Sequence, residues 1–533
     1  MKPFYITTAI DYTNGMPHIG HAYEKVLADV IARHRRLEGE EVFFLTGVDQ
    51  HGQKVQQTAA AEGINIETYV AKTTEKFVAL WEKLGVEYDG WAATTDPVHK
   101  HVVQQLLQSL HDKGELYKAT HSGFYSVRQE QFLTDKERGE DGEFGPEWGE
   151  VEERTEENWY FKLGSHIPWL VDYIETHDDF IFPDYRKADV LNGLKGIDPT
   201  EADLCISRPK KRLQWGIELP FDTDFVTYIW FDALTNYISF AGYLKDGTEW
   251  SGDLPDFDKI WPCDAHIIGK DIMRPAHAVY WPIMLHAAGF ADAAMPKLVV
   301  HGWWNDKKGE KQSKSLGNVS DPSELADIFG ADGIRYYLMR DIATGKDANF
   351  DQDRLLDTAY NKELAGGLGN LINRFLGMAK RRGPLVTDYQ HSCGHCDALR
   401  ATVEKSIPAY REQMRGYMIH QGIESIWQIV TAANVYVDAM EPWALNKDES
   451  AEAQDTLNAV LHTLCEVAVT LGILLEPIIP VTAAKIRSQL RFELPEGFVL
   501  DDLKWGMLPA GHEVGKAKPL FPRVEIVEEE EAS

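Results

Sequence analysis

The fold is decided near the N-terminus, in the stretch FYITTAIDYTNGMPHIGHAYEKVLADVIARHRR at residues 4–36. The stretch begins with a short apolar run of the kind that forms a buried strand, Phe4 to Thr8. A turn-rich segment follows, and apolar residues then recur at helical spacing, as Val26, Leu27, Val30 and Ile31. A buried strand that leads through a turn into an amphipathic helix indicates the first unit of a parallel α/β sheet.

The rest of the chain extends this pattern and interrupts it once. Strand and helix signals resume in FVTYIWFDAL, AHIIGKDI and KLVVHGWW, whereas the segment before them is rich in turn residues, aromatics and acids. Long amphipathic stretches dominate after residue 350. We therefore predict a Rossmann-type sheet domain in two halves, 1–113 and 226–321, split by an inserted α/β module at 114–225. A connecting segment at 322–354 and an all-helical domain at 355–533 complete the prediction.

Composition describes a globular protein with a strong acidic excess. The chain has 533 residues, 44% of them hydrophobic, a formal charge of −30 and five cysteines. No signal-peptide pattern and no run of 18 uncharged apolar residues is visible, so we expect a cytoplasmic protein that does not enter a membrane. The charge argues against nucleic-acid binding, because affinity for phosphate comes from Lys and Arg, unless positive charge is concentrated locally.

The motif PHIGH, Pro17 to His21, lies where the first strand passes into its helix. Free N–H groups and the positive dipole end suit a phosphate at such a position. Two imidazoles would add donors, and Gly20 would let a flat ring approach the backbone closely. Taken alone, the motif could equally be a polar helix cap.

A second motif, KQSKS at 311–315, lies in a loop rich in Gly and Lys. Flexible ammonium groups can follow a polyphosphate through a reaction, although such a loop alone is commonly a solvated turn. The two motifs in this order form the double signature of class I aminoacyl-tRNA synthetases. From Tyr5 to about Glu525 the chain closely resembles methionyl-tRNA synthetases, in TTAIDYTNG, FFLTGVDQHG, TYIWFDALTNY, HIIGKDI, GNLINR, EPWALNK and KPLFPRVE.

The resemblance implies a reaction in two steps. Methionine and ATP, with Mg²⁺, would form methionyl-adenylate and pyrophosphate, and methionine would then pass to the 3′ end of tRNA(Met). Residues 322–354 would contact the tRNA stem, and 355–533 would bind the anticodon. The chain lacks the additional dimer-forming domain of some relatives, so we expect a monomer.

The resemblance also implies roles for particular residues. Asp49 would take the ammonium group of methionine, in a pocket shaped by Ile10, Tyr12, Trp230, Ala233, Leu234, Tyr237, Ile272 and His277. ATP would be bound by His18, Gly20, His21, Gly269, Asp271, Lys311, Ser313 and Lys314, of which His18, His21, Lys311 and Lys314 would be catalytic. The anticodon would meet Asn370, Arg374 and Trp443. Core packing is the alternative for Trp230, Tyr237 and Trp443, and a helix-interior amide is the alternative for Asn370.

Three departures from the family pattern affect these expectations. DIMRPAHAVYWP has one extra residue between Ile272 and Trp281, so that either a local bulge absorbs it or the pocket differs. Gln312 replaces the usual Met, which changes only the packing of that loop. Ser126 and Gln129 replace a cysteine pair in the inserted module, so we expect no structural zinc there. The segment HSCGHC at 391–396 has metal-ligand types but is more simply a polar loop.

Other functions remain open at this point. Synthetases for leucine, isoleucine or valine usually carry a large editing insertion, for which this chain has no room, and the zinc ligands of the cysteine enzymes are missing. A nucleotidyltransferase with an HxGH motif would not need the helical domain. A paralogue that only binds tRNA would be expected to lose His18, His21 or Lys314.

Overall fold

The computed structural model describes residues 2–126, 131–133, 137–139, 141–246, 253–310, 312, 320–385 and 394–525. The strands are β1 (Phe4–Thr8), β2 (Asp11–Tyr12), β3 (Val42–Asp49), β4 (Gly90–Ala93), β5 (Leu116–Ser126), β6 (Gln131–Leu133), β7 (Val151–Phe161), β8 (Ile181–Phe182), β9 (Leu204–Cys205), β10 (Ser207–Pro209), β11 (Glu218–Leu219), β12 (Asp222–Thr227), β13 (Ala265–Gly269), β14 (Leu298–His301), β15 (Trp304–Asn305) and β16 (Ala348–Asn349).

The helices are α1 (Ile19–Leu37), α2 (Gln53–Ala61), α3 (Ile66–Leu84), α4 (Pro97–Asp112), α5 (Ile167–Thr176), α6 (Asp184–Lys195), α7 (Trp230–Ala233), α8 (Asn236–Ser239), α9 (Phe257–Ile260), α10 (Lys270–Ile272), α11 (Trp281–Ala288), α12 (Pro322–Arg340), α13 (Asn370–Arg382), α14 (Gly394–Arg415), α15 (Ile419–Met440), α16 (Pro442–Leu445), α17 (Ala451–Leu474) and α18 (Pro480–Leu490). Two π-helical segments, Met273–Tyr280 and Arg354–Gly369, and four 3₁₀ turns, Pro146–Trp148, Leu163–His166, Asp292–Ala294 and Leu500–Asp502, complete the described elements.

The central sheet is parallel and has the order β4–β3–β1–β13–β14–β8, with β2 also paired to β3. Every residue of β1 and of β13 is buried. In such a sheet all carboxyl ends meet at one edge, which is where ligands bind in open α/β folds. The sheet thereby gathers the ends of β1, β3, β13 and β14, although the first two are far from the last two in sequence. The predicted fold class is confirmed.

Helix α1 packs across this sheet as its sequence pattern predicts. Val26, Leu27, Val30 and Ile31 are each at most 1% exposed. The last turn carries Arg35 and Arg36, cations that suit the negative end of the helix dipole. This packing fixes the N-terminus of α1, and with it the PHIGH motif, at the carboxyl edge of the sheet.

The segment between the two halves of the sheet forms antiparallel structure. A four-stranded sheet has the order β6–β5–β7–β9, and a three-stranded sheet has the order β10–β12–β11. The sequence FVT at 225–227, which we expected to resume the parallel sheet, lies instead in antiparallel β12. That expectation was wrong because a short apolar run does not reveal which strand will be its partner. Conversely, β8 lies within 114–225 and pairs with β14 at the edge of the parallel sheet.

One of the two positions that replace the family's cysteine pair lies in β5. Ser126 is buried there and donates its hydroxyl to the carbonyl oxygen of Trp148 at 2.5 Å. A serine committed to a backbone carbonyl is not a ligand for a tetrahedral zinc site. Gln129 and the residues 391–393 of HSCGHC lie outside the described residues.

The C-terminal part is helical and packs around α17. The amphipathic stretches at 425–440 and 455–475 fall in α15 and α17, and the stretch at 355–382 falls in the second π-helical segment and α13. By length and composition α17 could cross a membrane, but 89% of its most apolar window is buried inside the protein. It is therefore placed as the core helix of a bundle.

Buried charges join α1 to the helical part. The guanidinium of Arg335 in α12 is fully buried, contacts the Asp29 carboxylate in α1 at 2.6 Å, and donates to the carbonyl oxygens of Pro477 and Ile478 at 2.9 Å each. At the end of α1, Glu38 accepts from Arg411 in α14 at 2.7 and 2.9 Å. Removing one partner of a buried ion pair costs about 3–5 kcal/mol, so the contact of Arg335 with Asp29 holds the two parts in a fixed relation, and the half-buried contact of Arg411 with Glu38 adds to it.

Candidate active site

The PHIGH motif caps α1 with both of its histidines. Nδ1 of His18 accepts from the backbone N–H of Gly20 at 3.1 Å, and Nδ1 of His21 accepts from the backbone N–H of His18 at 3.2 Å. Because each Nδ1 is an acceptor, the proton of each neutral ring lies on Nε2. The two histidines therefore serve both as the helix cap and as the proposed phosphate site. Capping by Nδ1 orients the Nε2–H donor of each ring.

The first cavity at the carboxyl edge has a volume of about 280 Å³. All the residues predicted to hold methionine line it: Ile10, Tyr12, Asp49, Trp230, Ala233, Leu234, Tyr237, Ile272 and His277. The structure thus brings together residues from the ends of β1 and β3, from α7 and α8, and from the segment after β13. Their individual roles stay predictions.

Asp49 lies in this cavity near the carboxylate of Asp232, which already has two histidine partners. Asp232 contacts Nδ1 of His51 at 2.8 Å and Nε2 of His99 at 3.0 Å. Burial would raise the pKa of Asp232, but the two imidazoles outweigh it and lower that pKa. Among the residues that the structure describes, the Asp49 carboxylate has only weaker contacts, at 3.3 Å from the His51 backbone N–H and from the Thr94 hydroxyl.

The pKa of Asp49 is consequently raised. Burial is the main cause, the nearby charge of Asp232 adds to it, and together they bring the pKa of Asp49 to about 7. A carboxylate in this state gains from a cationic partner, because the partner restores the charge balance that burial disturbs. The cavity therefore favours a ligand with an ammonium group.

His277 and Tyr237 form the inner wall of the same cavity. Nδ1 of His277 donates to the carbonyl oxygen of Ile272 at 2.9 Å, so Nε2 accepts the hydroxyl proton of Tyr237 at 2.8 Å. Burial lowers the pKa of His277 to about 4, which keeps this ring neutral. The pair presents an apolar, uncharged surface, as a thioether side chain requires.

The extra residue noted between Ile272 and Trp281 falls in a helical segment that is kinked at Arg274. Residues Met273–Tyr280 form a π-helical segment, in which Arg274 leaves the helical region with φ −118° and ψ 127°. A π-helical turn accommodates one more residue than an α-helical turn, and so avoids the rotation of about 100° per added residue. His277 consequently still reaches Tyr237.

A second cavity of about 370 Å³ opens beside the first. His18, Gly20, His21, Gly269 and Asp271, predicted to bind ATP, all line it, as does Gln312. The two cavities share Ala9, Ile10, Tyr12 and Ile272 as walls. Lys311, Ser313 and Lys314 lie outside the described residues, so their predicted roles stay predictions.

Sequence reasoning missed a buried charged network in the wall of the second cavity. Lys25, fully buried in α1, donates to the Asp11 and Glu24 carboxylates at 3.0 and 2.9 Å, and Glu24 also contacts His301 at 3.0 Å. Burial would raise the pKa of Glu24, but Lys25 and His301 outweigh it and keep that pKa low. The sequence did contain a signal for this network, because Glu24 and Lys25 lie on the apolar side of α1 and buried charges there need partners.

The residues predicted to meet the anticodon lie on the helical part and line neither of the two cavities. Asn370 and Arg374 are one turn apart on α13, and the Arg374 guanidinium lies 4.9 Å from the centre of the Trp443 ring. Trp443 is 37% exposed. An accessible indole beside a guanidinium is a stacking surface for an unpaired base, and its role stays a prediction.

The split parallel sheet, the histidine-capped first helix and the separate helical domain define a class I tRNA synthetase. The sequence profile of the family described as tRNA synthetases class I (M) matches residues 4–141 and 148–376, and that of the anticodon binding domain of methionyl tRNA ligase matches 389–533. The chain belongs to the methionyl-tRNA synthetase family.

Individual relatives agree with this membership over nearly the whole chain. The methionine–tRNA ligases of Caldanaerobacter subterraneus subsp. tengcongensis and of Rhizobium meliloti are each 38% identical, over 99% and 98% of this chain and 80% and 98% of their own lengths. A solved structure of Mycobacterium tuberculosis methionyl-tRNA synthetase in complex with methionyl-adenylate is 35% identical, with a TM-score of 0.87, covering 98% of this chain and all of that one.

Proposed function

We propose that the chain activates methionine with ATP at the junction of the two cavities and then transfers it to the 3′ end of tRNA(Met). One observation carries the proposal: a cavity with a single uncompensated carboxylate and aromatic walls opens, past Ile10 and Tyr12, into a cavity bordered by the two capping histidines. A substrate with an ammonium group and an apolar side chain fits the first, and a nucleotide fits the second.

In the first cavity, Asp49 pairs with the methionine ammonium group. The thioether packs against Tyr237 and His277, because polarisable sulfur makes favourable contacts with aromatic rings. Trp230, Ala233, Leu234 and Ile272 complete the apolar enclosure. The carboxylate of the substrate is then directed toward Ile10 and Tyr12, where the second cavity begins.

In the second cavity, the Nε2–H groups of His18 and His21 meet the phosphates, and Gly20 lies under the adenine. Gly269 and Asp271 contact the ribose. Lys311, Ser313 and Lys314 of the KQSKS loop contact the pyrophosphate group. Mg²⁺ would be carried mainly on phosphate oxygens, its usual ligands in nucleotide-using enzymes, and would neutralise part of their charge.

The chemistry requires no covalent intermediate with the protein. A carboxylate oxygen of methionine forms a bond to the α-phosphorus as the bond from that phosphorus to pyrophosphate breaks. The terminal ribose hydroxyl of the tRNA then attacks the carbonyl carbon, loses its proton, and releases AMP. Catalysis comes from positioning and from stabilisation of phosphate charge.

Two further properties follow from this assignment. Both cavities are formed within one chain, and we infer that a monomer is active. The substrates, ATP and tRNA, and the free thiols of Cys205, Cys263 and Cys465 agree with work in the cytoplasm.

The proposal is tested by amino-acid-dependent exchange of pyrophosphate into ATP, measured with each of the twenty amino acids. Methionine should drive exchange best, and leucine and isoleucine, which lack the sulfur, should be weaker by at least an order of magnitude in kcat/KM. Charging of tRNA(Met) should follow in the same preparation. Exchange driven best by another amino acid would refute the substrate assignment.

A further inference from the structure

A third opening, here called the α6 groove, lies between the inserted module and the edge of the parallel sheet. It has a volume of about 670 Å³, and its walls include Arg186 and Gly193 of α6, Lys270 and Asp271 of α10, Arg274 and Trp303. Asp271 and Trp303 also line the second cavity. The groove therefore adjoins the second cavity, in which the nucleotide is proposed to bind.

Arg274 is held in this groove by its backbone and by a notch in α6. Its non-helical φ and ψ within the π-helical segment turn the exposed residue out of the helix. Its guanidinium lies against Gly193, where an added Cβ would be only 1.6 Å from Nη1 of Arg274. Glycine inside a helix costs about 1 kcal/mol relative to alanine, so the notch is a feature that helix stability alone does not favour.

The other cations of the groove are already paired. Lys270 contacts the Asp347 carboxylate at 2.5 Å and lies 4.0 Å from the centre of the Trp303 ring. Arg186 contacts the Asp189 carboxylate at 3.3 Å and the carbonyl oxygen of Gly345 at 3.1 Å. Arg274 has no hydrogen bond or ion pair with any residue that the structure describes. It is a positioned cation ready for an anion.

Under the proposed function, on which this inference rests, the tRNA is the substrate whose binding place near the two cavities is still unassigned. Methionine fills the first cavity and ATP the second, so the RNA needs another approach for its 3′ hydroxyl to reach the carbonyl carbon at their junction. Its last nucleotides are single-stranded and carry one phosphodiester anion each, which arginine recognises well. The α6 groove supplies both the opening and the cation.

We propose that the α6 groove receives the 3′-terminal nucleotides of the tRNA, with Arg274 contacting a phosphodiester group and Gly193 providing the space that holds Arg274 in place. Arg274 is thus a residue of the transfer step and not of methionine activation. The carboxylate of Asp271 in the same wall would repel a misplaced phosphate and limit how far the RNA backbone can enter.

The test compares Arg274→Gln with Gly193→Ala and with Arg400→Gln, a control that removes an exposed arginine of α14 paired to Glu404. Alanine favours helix formation over glycine, so Gly193→Ala should fold at least as well as the parent while displacing the guanidinium. Three quantities are measured: pyrophosphate exchange, transfer from preformed methionyl-adenylate to tRNA, and the Kd of intact tRNA against tRNA lacking its last three nucleotides.

Both groove variants should lower kcat/KM for transfer by about fivefold to tenfold, the effect of one lost phosphate contact. Exchange should stay within about twofold of the parent, as should all properties of Arg400→Gln. The two variants should weaken binding of intact tRNA and leave binding of the shortened tRNA unchanged, because only the intact RNA reaches Arg274. A substitution that instead disturbed the fold would weaken the binding of both RNAs alike.

Two results would overturn the proposal. Equal weakening of intact and shortened tRNA would show that Arg274 does not contact the 3′ end. A raised KM for ATP in exchange, with normal transfer from preformed adenylate, would assign the groove to the polyphosphate of ATP. Neither result touches the proposed function, which instead fails if the parent protein does not exchange pyrophosphate with methionine.

Discussion

Asp49 carries the recognition of the methionine ammonium group in this account, and its surroundings make that recognition depend on pH. Asp232, although nearby, is satisfied by His51 and His99, so Asp49 is the carboxylate left to receive a cation. Because the pKa of Asp49 is raised to about 7, a modest change in pH decides whether it is charged.

We predict that KM for methionine in pyrophosphate exchange rises as pH falls below about 7. The sign follows from the raised pKa: below it the free carboxyl binds a proton and no longer attracts the ammonium group, whereas above it the group is ionised and KM is constant. Well below the pKa, KM should rise about tenfold per pH unit. The measurement is KM for methionine between pH 5.5 and 8.5, at saturating ATP.

Asp49→Asn supplies the control for this prediction. The variant should have a much higher KM for methionine and a flat pH profile, since no proton then competes with the ammonium group. Asp258→Asn, at an exposed carboxylate of α9, should keep the parent profile. A parent profile that does not change through pH 7 would contradict the role given to Asp49.

Single residues show how far sequence reasoning extends. The resemblance identified Asp49, His277 and the other lining residues, because each lies in a motif that can be read locally. The resemblance did not reveal the contacts of His51 with Asp232 or of Glu24 with His301. These residues are 181 and 277 positions apart in the chain, so no local pattern connects them. Such pairs exist only after the sheet has brought its carboxyl ends together.

At the scale of elements, α1 is a regular helix, whereas the segment after β13, which carries His277, is irregular. Helix α1 follows its periodic pattern, and its position was predicted from that pattern. The segment after β13 was predicted only as a choice between a bulge and an altered pocket, because the sequence shows an added residue but not how the backbone accommodates it. In the structure this segment is kinked at Arg274, which agrees with a bulge, and His277 contacts Tyr237.

Helices α13 and α16 are expected to act on the tRNA alone. Trp443→Ala removes an exposed indole that lies beside Arg374, and a lost base stack is worth about 1–3 kcal/mol. We predict that kcat/KM for charging tRNA(Met) falls by about tenfold to a hundredfold, whereas methionine-dependent exchange is unchanged. Steady-state charging and exchange assays on the same preparation measure both quantities.

Trp443→Phe is the matched variant for this prediction, because it keeps an aromatic face of smaller area. Its charging rate should lie between those of the parent and Trp443→Ala. If Trp443→Ala reduced exchange as strongly as charging, the indole would be serving the fold, and the core-packing alternative would be correct.

At the scale of the whole molecule, the parallel sheet is assembled from segments that an inserted module separates. Composition and motif order predicted this division, and the parallel order of β1, β13 and β14 agrees with it. The pairing of β8 with β14 and the antiparallel setting of β12 were not predictable, because both depend on partners distant in sequence. The buried contact of Asp29 with Arg335 and the half-buried contact of Glu38 with Arg411 then fix α1 to the helical part.

The central claim is that the two cavities hold the two halves of one intermediate. A crystal structure of this protein with methionine and ATP, or with methionyl-adenylate, tests it most directly. We predict the ammonium group at Asp49, the thioether beside Tyr237 and His277, and the phosphate at the Nε2 atoms of His18 and His21. An adenylate whose methionyl group lay outside the Asp49 cavity, or whose phosphate was remote from both histidines, would contradict the account.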